Sequence, residues 1–269
     1  MSTSTAPTDR SVTPTSSTAT EHQPVDISGD RIPFVRLVSI ELRKMVDTRA
    51  GMWMLIVMGG IGFLVTAALL IWGQDGADQA FSNFLGLIVI PMMVLLPIMG
   101  IMSATQEWSQ RTGLATFTLV PRRGRIVAAK IGAAMLLCLA LLAAGAIAAA
   151  LGTLIAGGEF SLTGVSLGGI VIAGLVYTLQ GVAFGAAFLN TPIAIVASLV
   201  LPTIWTVLTA MITWMQDVSK WLDLNVVTGP LTSGTMTGEN WAQLATATGF
   251  WVGIPLAIGS YRILTREVK

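Results

Sequence analysis

Six runs of mainly apolar residues dominate the chain from residue 53 onward. They lie at about 53 to 72, 81 to 103, 131 to 156, 167 to 189, 193 to 215 and 241 to 260. An α-helix needs roughly 20 apolar residues to cross about 30 Å of hydrocarbon, and each run is close to that length. Hydrocarbon satisfies no backbone polar group, and the runs are too long and unalternating for barrel strands. The pattern therefore predicts an all-α membrane protein with six transmembrane helices.

Two shorter segments have helical periodicity without the length of a span. In residues 33 to 49 the apolar side chains fall near one helical face, namely Phe34, Leu37, Val38, Leu42 and Met45. This amphipathic pattern predicts an N-terminal interfacial helix along the cytoplasmic leaflet. Between spans five and six, the spacing i, i+4, i+7 and i+8 predicts a short helix at the outer surface, with Trp214, Val218, Trp221 and Leu222 on one face.

The composition of the chain is that of a membrane protein, except for an N-terminal segment of different composition. Hydrophobic residues make up 54% of the 269 residues and charged residues 11%, far from the roughly 25% charged of soluble domains. Residues 1 to 29 are rich in Ser, Thr and Pro and nearly lack large apolar side chains, which predicts a disordered cytoplasmic tail. The tail also lacks the basic and apolar regions of a cleavable signal peptide. Residues 30 to 269 are expected to form one transmembrane domain.

The distribution of cations predicts the orientation. Fourteen of the fifteen Lys and Arg residues precede the first span, follow the sixth, or lie between spans two and three, and Lys220 is the exception. Short cytoplasmic loops retain Lys and Arg. We therefore expect a multi-pass protein of the cell membrane with both termini in the cytoplasm.

The loop between spans two and three concentrates charge. Residues 106 to 130, QEWSQRTGLATFTLVPRRGRIVAAK, contain five of the fifteen cations. One interpretation is that these cations only hold the topology and contact anionic head groups. The mixture of side chains in QEWSQRTG points to a further role, because Glu107 and Arg111 have the spacing of an ion pair on one helical face. Trp108 suits either the membrane interface or a groove in a partner.

This loop resembles the cytoplasmic loop of ABC-2 type transporter permeases. The resemblance rests on the acid-aromatic pair EW, a Thr-containing turn, the PRR element and AK entering the third span. The segment ELRKMVDTRAGMW resembles the entry segment of the same family. The resemblance implies a coupling helix in this loop that docks on a separate ATP-hydrolysing subunit, with the coupling residues Glu107, Trp108, Arg111 and Thr112. It further implies re-entrant outer helices between spans five and six.

The same resemblance implies the partners and the energy source. A permease of this type pairs with a second copy of itself or a paralogue, is powered by two ATPase subunits, and exports its substrate. The chain has no G-x-x-x-x-G-K-[ST] phosphate loop, so ATP and Mg are expected in the partner subunit and no cofactor in this chain. No catalytic constellation or metal cluster is evident, since the one histidine, His22, lies in the tail and Cys138 is alone. We expect neither enzymatic activity nor a nucleic-acid partner.

The predicted spans contain no Asp, Glu, Lys, Arg or His, which disfavours an ion-driven carrier and favours an apolar or amphipathic substrate. Four polar residues are candidates for lining the pathway or for bonding between helices: Tyr177, Gln180, Thr206 and Thr209. Span four also carries a stripe of small residues that predicts close helix packing through Gly174, Gly181 and Gly185.

Two other functions stay open at the level of sequence. The chain is compatible with a non-transporting membrane scaffold or immunity component that binds a cytoplasmic partner through the same loop. An independent channel or carrier is a third possibility.

Overall fold

The computed structural model describes residues 33–73, 79–109 and 123–265, and no strand occurs among them. The elements follow one another as α1 (Phe34–Asp47), α2 (Arg49–Trp72), α3 (Phe81–Ser109), α4 (Arg123–Ala156), α5 (Leu167–Phe188), α6 (Thr191–Met211), a 3₁₀ turn (Thr213–Met215), α7 (Gln216–Leu222), α8 (Leu224–Ser233), α9 (Gly238–Thr248), a π-helical turn (Gly249–Gly253) and α10 (Ile254–Thr265). The predicted tail, residues 1 to 29, lies outside the described residues.

Among the residues that the structure describes, six helical segments are long and apolar enough to cross a membrane, which agrees with the predicted number of spans. They are α2, α3, α4, α5, α6 and the continuous segment from α9 through α10. The last segment has the lowest hydropathy of the six and contains the π-helical turn. Its Trp251 side chain donates from Nε1 to the carbonyl oxygen of Leu222 at 2.6 Å. A π-helical turn interrupts the regular hydrogen-bond pattern of a helix, and such a turn is tolerated at membrane depth where neighbouring segments cover it.

Polar side chains set the starts of several helices. The Thr48 hydroxyl accepts from the Gly51 amide at the start of α2, and the Ser166 hydroxyl accepts from Gly169 at the start of α5. Asn190 caps α6 in the same way, and Asp223 caps α8. Each cap satisfies a backbone N–H that has no partner within its own helix.

The bundle is organised around α3 and α5, which are the most buried spans, whereas α2 and α6 are the least buried. Helices α3 and α5 cross where Gly100 faces the backbone of Thr178 and Gly181 faces the carbonyl oxygen of Pro97. A Cβ atom at Gly181 would overlap that oxygen. The absence of side chains at the crossing is therefore what allows the two backbones to touch.

Several helices extend beyond the predicted apolar runs. Helix α2 begins at Arg49 instead of residue 53, α3 continues to Ser109 instead of residue 103, and α4 begins at Arg123 instead of residue 131. The apolar pattern marks only the part of a helix that hydrocarbon surrounds, and polar turns continue the helix where the chain supplies them with partners. Residues 106 to 109, assigned from the sequence to a separate loop segment, are the last turn of α3. Residues 110 to 122, where a coupling helix was expected, lie outside the described residues.

The fifth span, in contrast, is shorter than its apolar run. Helix α6 ends at Met211, four residues before the predicted end, and a 3₁₀ turn follows it. Beyond that turn, α7 and α8 occupy the segment where an outer helix was expected. Helix α8 buries Leu224, Val227 and Leu231 and packs on α5. Helix α1 packs on α4 and buries Leu37, Glu41 and Met45.

Candidate functional site

Four charged side chains meet at one end of the bundle and form what we call the charge cluster: Glu41 and Lys44 of α1, Glu107 of α3, and Lys130 of α4. Lys130 Nζ donates to Glu41 Oε2 at 2.7 Å, and Lys44 Nζ donates to Glu41 Oε1 at 2.6 Å. Glu107 Oε1 lies 3.0 Å from Lys130 Nζ and 3.5 Å from Lys44 Nζ. Two acids and two bases from three helices therefore neutralise one another.

Each helix presents its charge for a local reason. Glu41 lies one turn from both Leu37 and Met45, so it occupies the buried stripe of α1, and Lys44 follows at its edge. Glu107 belongs to the last turn of α3, after the apolar part of the span has ended. Lys130 lies two turns into α4, and its Nζ also donates to the carbonyl oxygen of Ser103 on α3 at 3.1 Å. The ammonium group of Lys130 thus joins α1, α3 and α4 directly.

The charge cluster is almost shielded from solvent. The side chains of Glu41, Glu107 and Lys130 are 6%, 4% and 8% exposed, and that of Lys44 is 35% exposed. Burial raises the pKa of Glu41, but the ammonium groups of Lys130 and Lys44 outweigh it and hold that pKa below its ordinary value. For Lys44, burial alone would lower the pKa. The carboxylates of Glu41 and Glu107 outweigh burial, so the pKa of Lys44 is raised above its ordinary value. Both side chains are therefore charged at neutral pH.

Glu107 is the more weakly held of the two acids. Its Oε1 is within ion-pair distance of both lysines, but the angles do not make a hydrogen bond, and this buried oxygen has no other hydrogen-bond partner among the described residues. Glu41, in contrast, receives a hydrogen bond on each carboxylate oxygen. Glu41 is the centre of the cluster, and Glu107 attaches α3 to it.

Trp108 points to another part of the bundle. Successive residues of a helix are separated by about 100°, so Glu107 and Trp108 face different neighbours. The Trp108 ring is half-buried and packs on the apolar cluster of Ala186, Leu189 and Ile263. The last turn of α3 is therefore held by α1 and α4 through Glu107 and by the ends of α5 and α10 through Trp108.

Of the four predicted coupling residues, the structure thus places Glu107 and Trp108 within the bundle. Arg111 and Thr112 lie outside the described residues, and so does the predicted ion pair between Glu107 and Arg111. The carboxylate of Glu107 faces Lys130 and Lys44. The sequence analysis did not identify Glu41, Lys44 and Lys130 as site residues. A usable signal was present, because Leu37, Glu41 and Met45 are spaced by four and put an acid inside the apolar stripe of α1.

The four predicted pathway residues are spread over α5 and α6. The Tyr177 hydroxyl donates to Asn225 Oδ1 of α8 at 3.1 Å, and Thr206 Oγ1 accepts from Asn225 Nδ2 at 3.4 Å. Asn225 thereby brings Tyr177 and Thr206 into one network. Thr209 is buried and donates to the carbonyl oxygen of Thr206 at 3.1 Å, and Gln180 is buried on α5.

The three predicted packing glycines all lie on the buried side of α5. A Cβ atom at Gly174 would approach Leu142 Cδ1 to 2.8 Å, and one at Gly185 would approach the Ala104 Cβ to 2.8 Å. Together with Gly181 at Pro97, these positions line the contacts of α5 with α3 and α4.

No group of three or more His, Cys, Asp or Glu side chains able to hold a metal ion occurs in residues 33–73, 79–109 and 123–265. No protein-family model matches the chain, and no curated protein is significantly similar to it.

Proposed function

We propose that this chain is the permease subunit of an ATP-binding cassette exporter of the ABC-2 type. The observation that carries the proposal is the double attachment of the last turn of α3, which directly precedes the basic segment 110–122. Glu107 ties this turn to α1 and α4, and Trp108 packs it on the ends of α5 and α10. A partner that moved the segment would thereby act on most of the bundle.

The ion pairs are suited to transmit such a movement. Separating a buried ion pair leaves charges without partners, which costs about 3 to 5 kcal/mol. Helices α1, α3 and α4 are therefore expected to move together at this end. In this proposal Glu107 and Trp108 fix the base of the coupling segment, and Arg111 and Thr112 contact the ATPase.

An external motor is favoured by the chemistry of the chain. The sequence has no phosphate loop, so ATP and Mg would be bound by a separate ATPase subunit. In the described spans, Asp, Glu, Lys and Arg occur only within about two turns of a helix end, as do Arg49, Glu107, Lys130, Glu239 and Arg262. A carrier driven by ions usually holds such groups at membrane depth. The transported substrate is accordingly expected to be apolar or amphipathic.

The remaining elements find roles in the same proposal. Helix α1 would lie at the cytoplasmic surface, where its exposed Phe34, Val35 and Ile40 contact lipid. Helices α7 and α8 would form the re-entrant outer layer. The weakly buried spans α2 and α6 carry many exposed large apolar side chains, and these would face lipid and a second permease copy or a paralogue.

The proposal is tested by purifying the tagged full chain in mild detergent and identifying the co-eluting proteins. We expect an ATPase with a phosphate loop, and export of a substrate that stops when that ATPase is deleted. Arg111→Glu should release the ATPase and leave the free energy of unfolding of the permease unchanged, because Arg111 is proposed to contact the ATPase. Stable binding of a partner without ATP-dependent export would instead favour the scaffold or immunity function. Export that persists without any ATPase would favour an independent carrier.

A further inference from the structure

A second site is present beside the charge cluster. A cavity of about 430 Å³ opens between the junction of α1 and α2, the last turns of α3, and the start of α6. Cavities of roughly 300 to 1,000 Å³ are typical of small-molecule sites. In the orientation predicted from the cation distribution, this end of the bundle lies on the cytoplasmic side.

The cavity is bordered by the amino ends of two long helices. Helix α2 begins at Arg49 and α6 begins at Thr191, and both residues line the cavity. Thr48 and Asn190 each cap one amide at these helix starts, and the helix dipole adds partial positive charge there. Two such ends that border one cavity favour an anion between them.

Arg49 supplies a full positive charge at the exposed rim. Its guanidinium makes no hydrogen bond or ion pair within the described part of the chain. None of the described residues that line the cavity is acidic. The carboxylates of Glu41 and Glu107 are paired with Lys44 and Lys130, and that of Asp47 is paired with Arg43. Arg49 is therefore available to an anionic ligand.

A buried hydroxyl in the cavity wall also lacks a partner. Ser103 lines the cavity and is 2% exposed, and its Oγ has no hydrogen-bond partner among the described residues. Leaving a buried polar group without a partner is unfavourable. A ligand head group with acceptor oxygens would satisfy this donor. The hydroxyls of Thr105 and Thr191 lie 2.7 Å apart in the same wall and offer further polar contacts.

The remaining wall is apolar and adaptable. Met45, Met99 and Met102 come from α1 and α3, and Ala50 comes from α2. Methionine side chains are unbranched and flexible, so they accommodate alkyl groups of different shapes. A site with one polar, positively charged side and one methionine-rich side is suited to an amphipath and not to a small hydrated anion.

We propose that this cavity binds the anionic head group of an amphipath, a phosphate or carboxylate carried on an alkyl chain. Arg49 and the amino ends of α2 and α6 contact the anion, and Met45, Met99 and Met102 contact the first methylenes of the chain. This binding goes beyond the proposed function, because it needs neither an ATPase nor transport.

The test measures lipid adducts of the purified full chain by native mass spectrometry. Dioleoyl phosphatidic acid and dioleoyl phosphatidylcholine are supplied together, since they share acyl chains and differ only in the head group. We expect wild-type protein to carry phosphatidic acid preferentially. Arg49→Gln should reduce this preference about tenfold through loss of a charge-assisted contact. Arg43→Gln is the matched control, because Arg43 is exposed on the neighbouring helix α1 and pairs with Asp47.

Two further arms identify the ligand and guard against misfolding. A photoactivatable phosphatidic acid should label wild-type protein within residues 99–109 or 45–50, which requires no variant. Excess inorganic phosphate should leave the lipid adduct intact, and displacement of the lipid would identify a free phosphate as the occupant of the same anion site. Equal adducts of the two lipids in wild type, an unchanged preference in folded Arg49→Gln, or labelling elsewhere in the bundle would overturn the proposal.

Discussion

Replacing Lys130 by methionine is the most informative perturbation of the charge cluster. Methionine is unbranched and of similar length, so the change removes a charge without opening a large cavity. Lys130 Nζ loses contacts with Glu41 at 2.7 Å, Glu107 at 3.0 Å and the Ser103 carbonyl at 3.1 Å. Two buried carboxylates are then left with Lys44 alone. Removing one partner of a buried ion pair costs about 3 to 5 kcal/mol, and we expect a loss of this size in the free energy of unfolding.

The measurement is denaturant-induced unfolding in mixed micelles, followed by tryptophan fluorescence. Adding Glu107→Gln to Lys130→Met restores charge balance, because Glu41 and Lys44 remain paired. The coupling energy for residues in one network is about 0.5 to 3 kcal/mol, so the double variant should regain stability by about that amount. Lys220→Met is the matched control, since Lys220 pairs with Asp217 in an exposed position and should show no measurable change. The stabilising role of the charge cluster would be refuted if the Lys130→Met variant were as stable as this control. It would also be refuted if the double variant were no more stable than Lys130→Met.

Three other outcomes are expected. The pKa of Glu41 is lowered from its ordinary value of 4.5, so its stabilising charge is present above that value and is lost as the pH falls through the folded pKa. The unfolding temperature of the wild-type protein should therefore fall on acidification. Glu41→Gln removes the group that faces Lys44, Lys130 and Glu107, so the unfolding temperature of this variant should depend less on pH. Gly181→Ala should lower the free energy of unfolding by about 1 to 3 kcal/mol by forcing α5 away from Pro97, whereas Gly86→Ala, which meets no atom, should have little effect; equal effects would contradict the crossing. Single cysteines can be introduced in a Cys138→Ala background, and those at the exposed Thr163 and Thr235 should react with an impermeant thiol reagent on intact cells. Cysteines at Gly124 and Thr265 should react only after permeabilisation. Labelling of Gly124 from outside would show that the predicted orientation is wrong.

The sequence predicted the secondary structure and the number of spans because these depend on local properties. A long apolar run in hydrocarbon must satisfy its own backbone, so run length and composition suffice to predict a helix. The end of each helix was less predictable. Helix α3 continues to Ser109 because Glu107 and Trp108 find partners within the bundle, and no local pattern specifies those partners.

The small-residue stripe of α5 illustrates the same division. Its spacing predicted that some helix would approach closely. Only the packed bundle identified that helix as α3 and placed Gly181 at the carbonyl oxygen of Pro97. Gly100 is the matching residue on α3, and its role follows from the crossing.

The charge cluster was decided by tertiary structure alone. The apolar stripe of α1 indicates that Glu41 is buried, but Lys130 is 89 positions away along the chain, and no local pattern identifies it as the partner. The Glu107 carboxylate faces two lysines of other helices, and no local pattern in α3 indicated these partners. A buried charge requires an opposite charge at close range, whatever its distance along the chain. Sequence periodicity states which face of a helix a residue occupies, and only the packing of helices decides which charge it meets there.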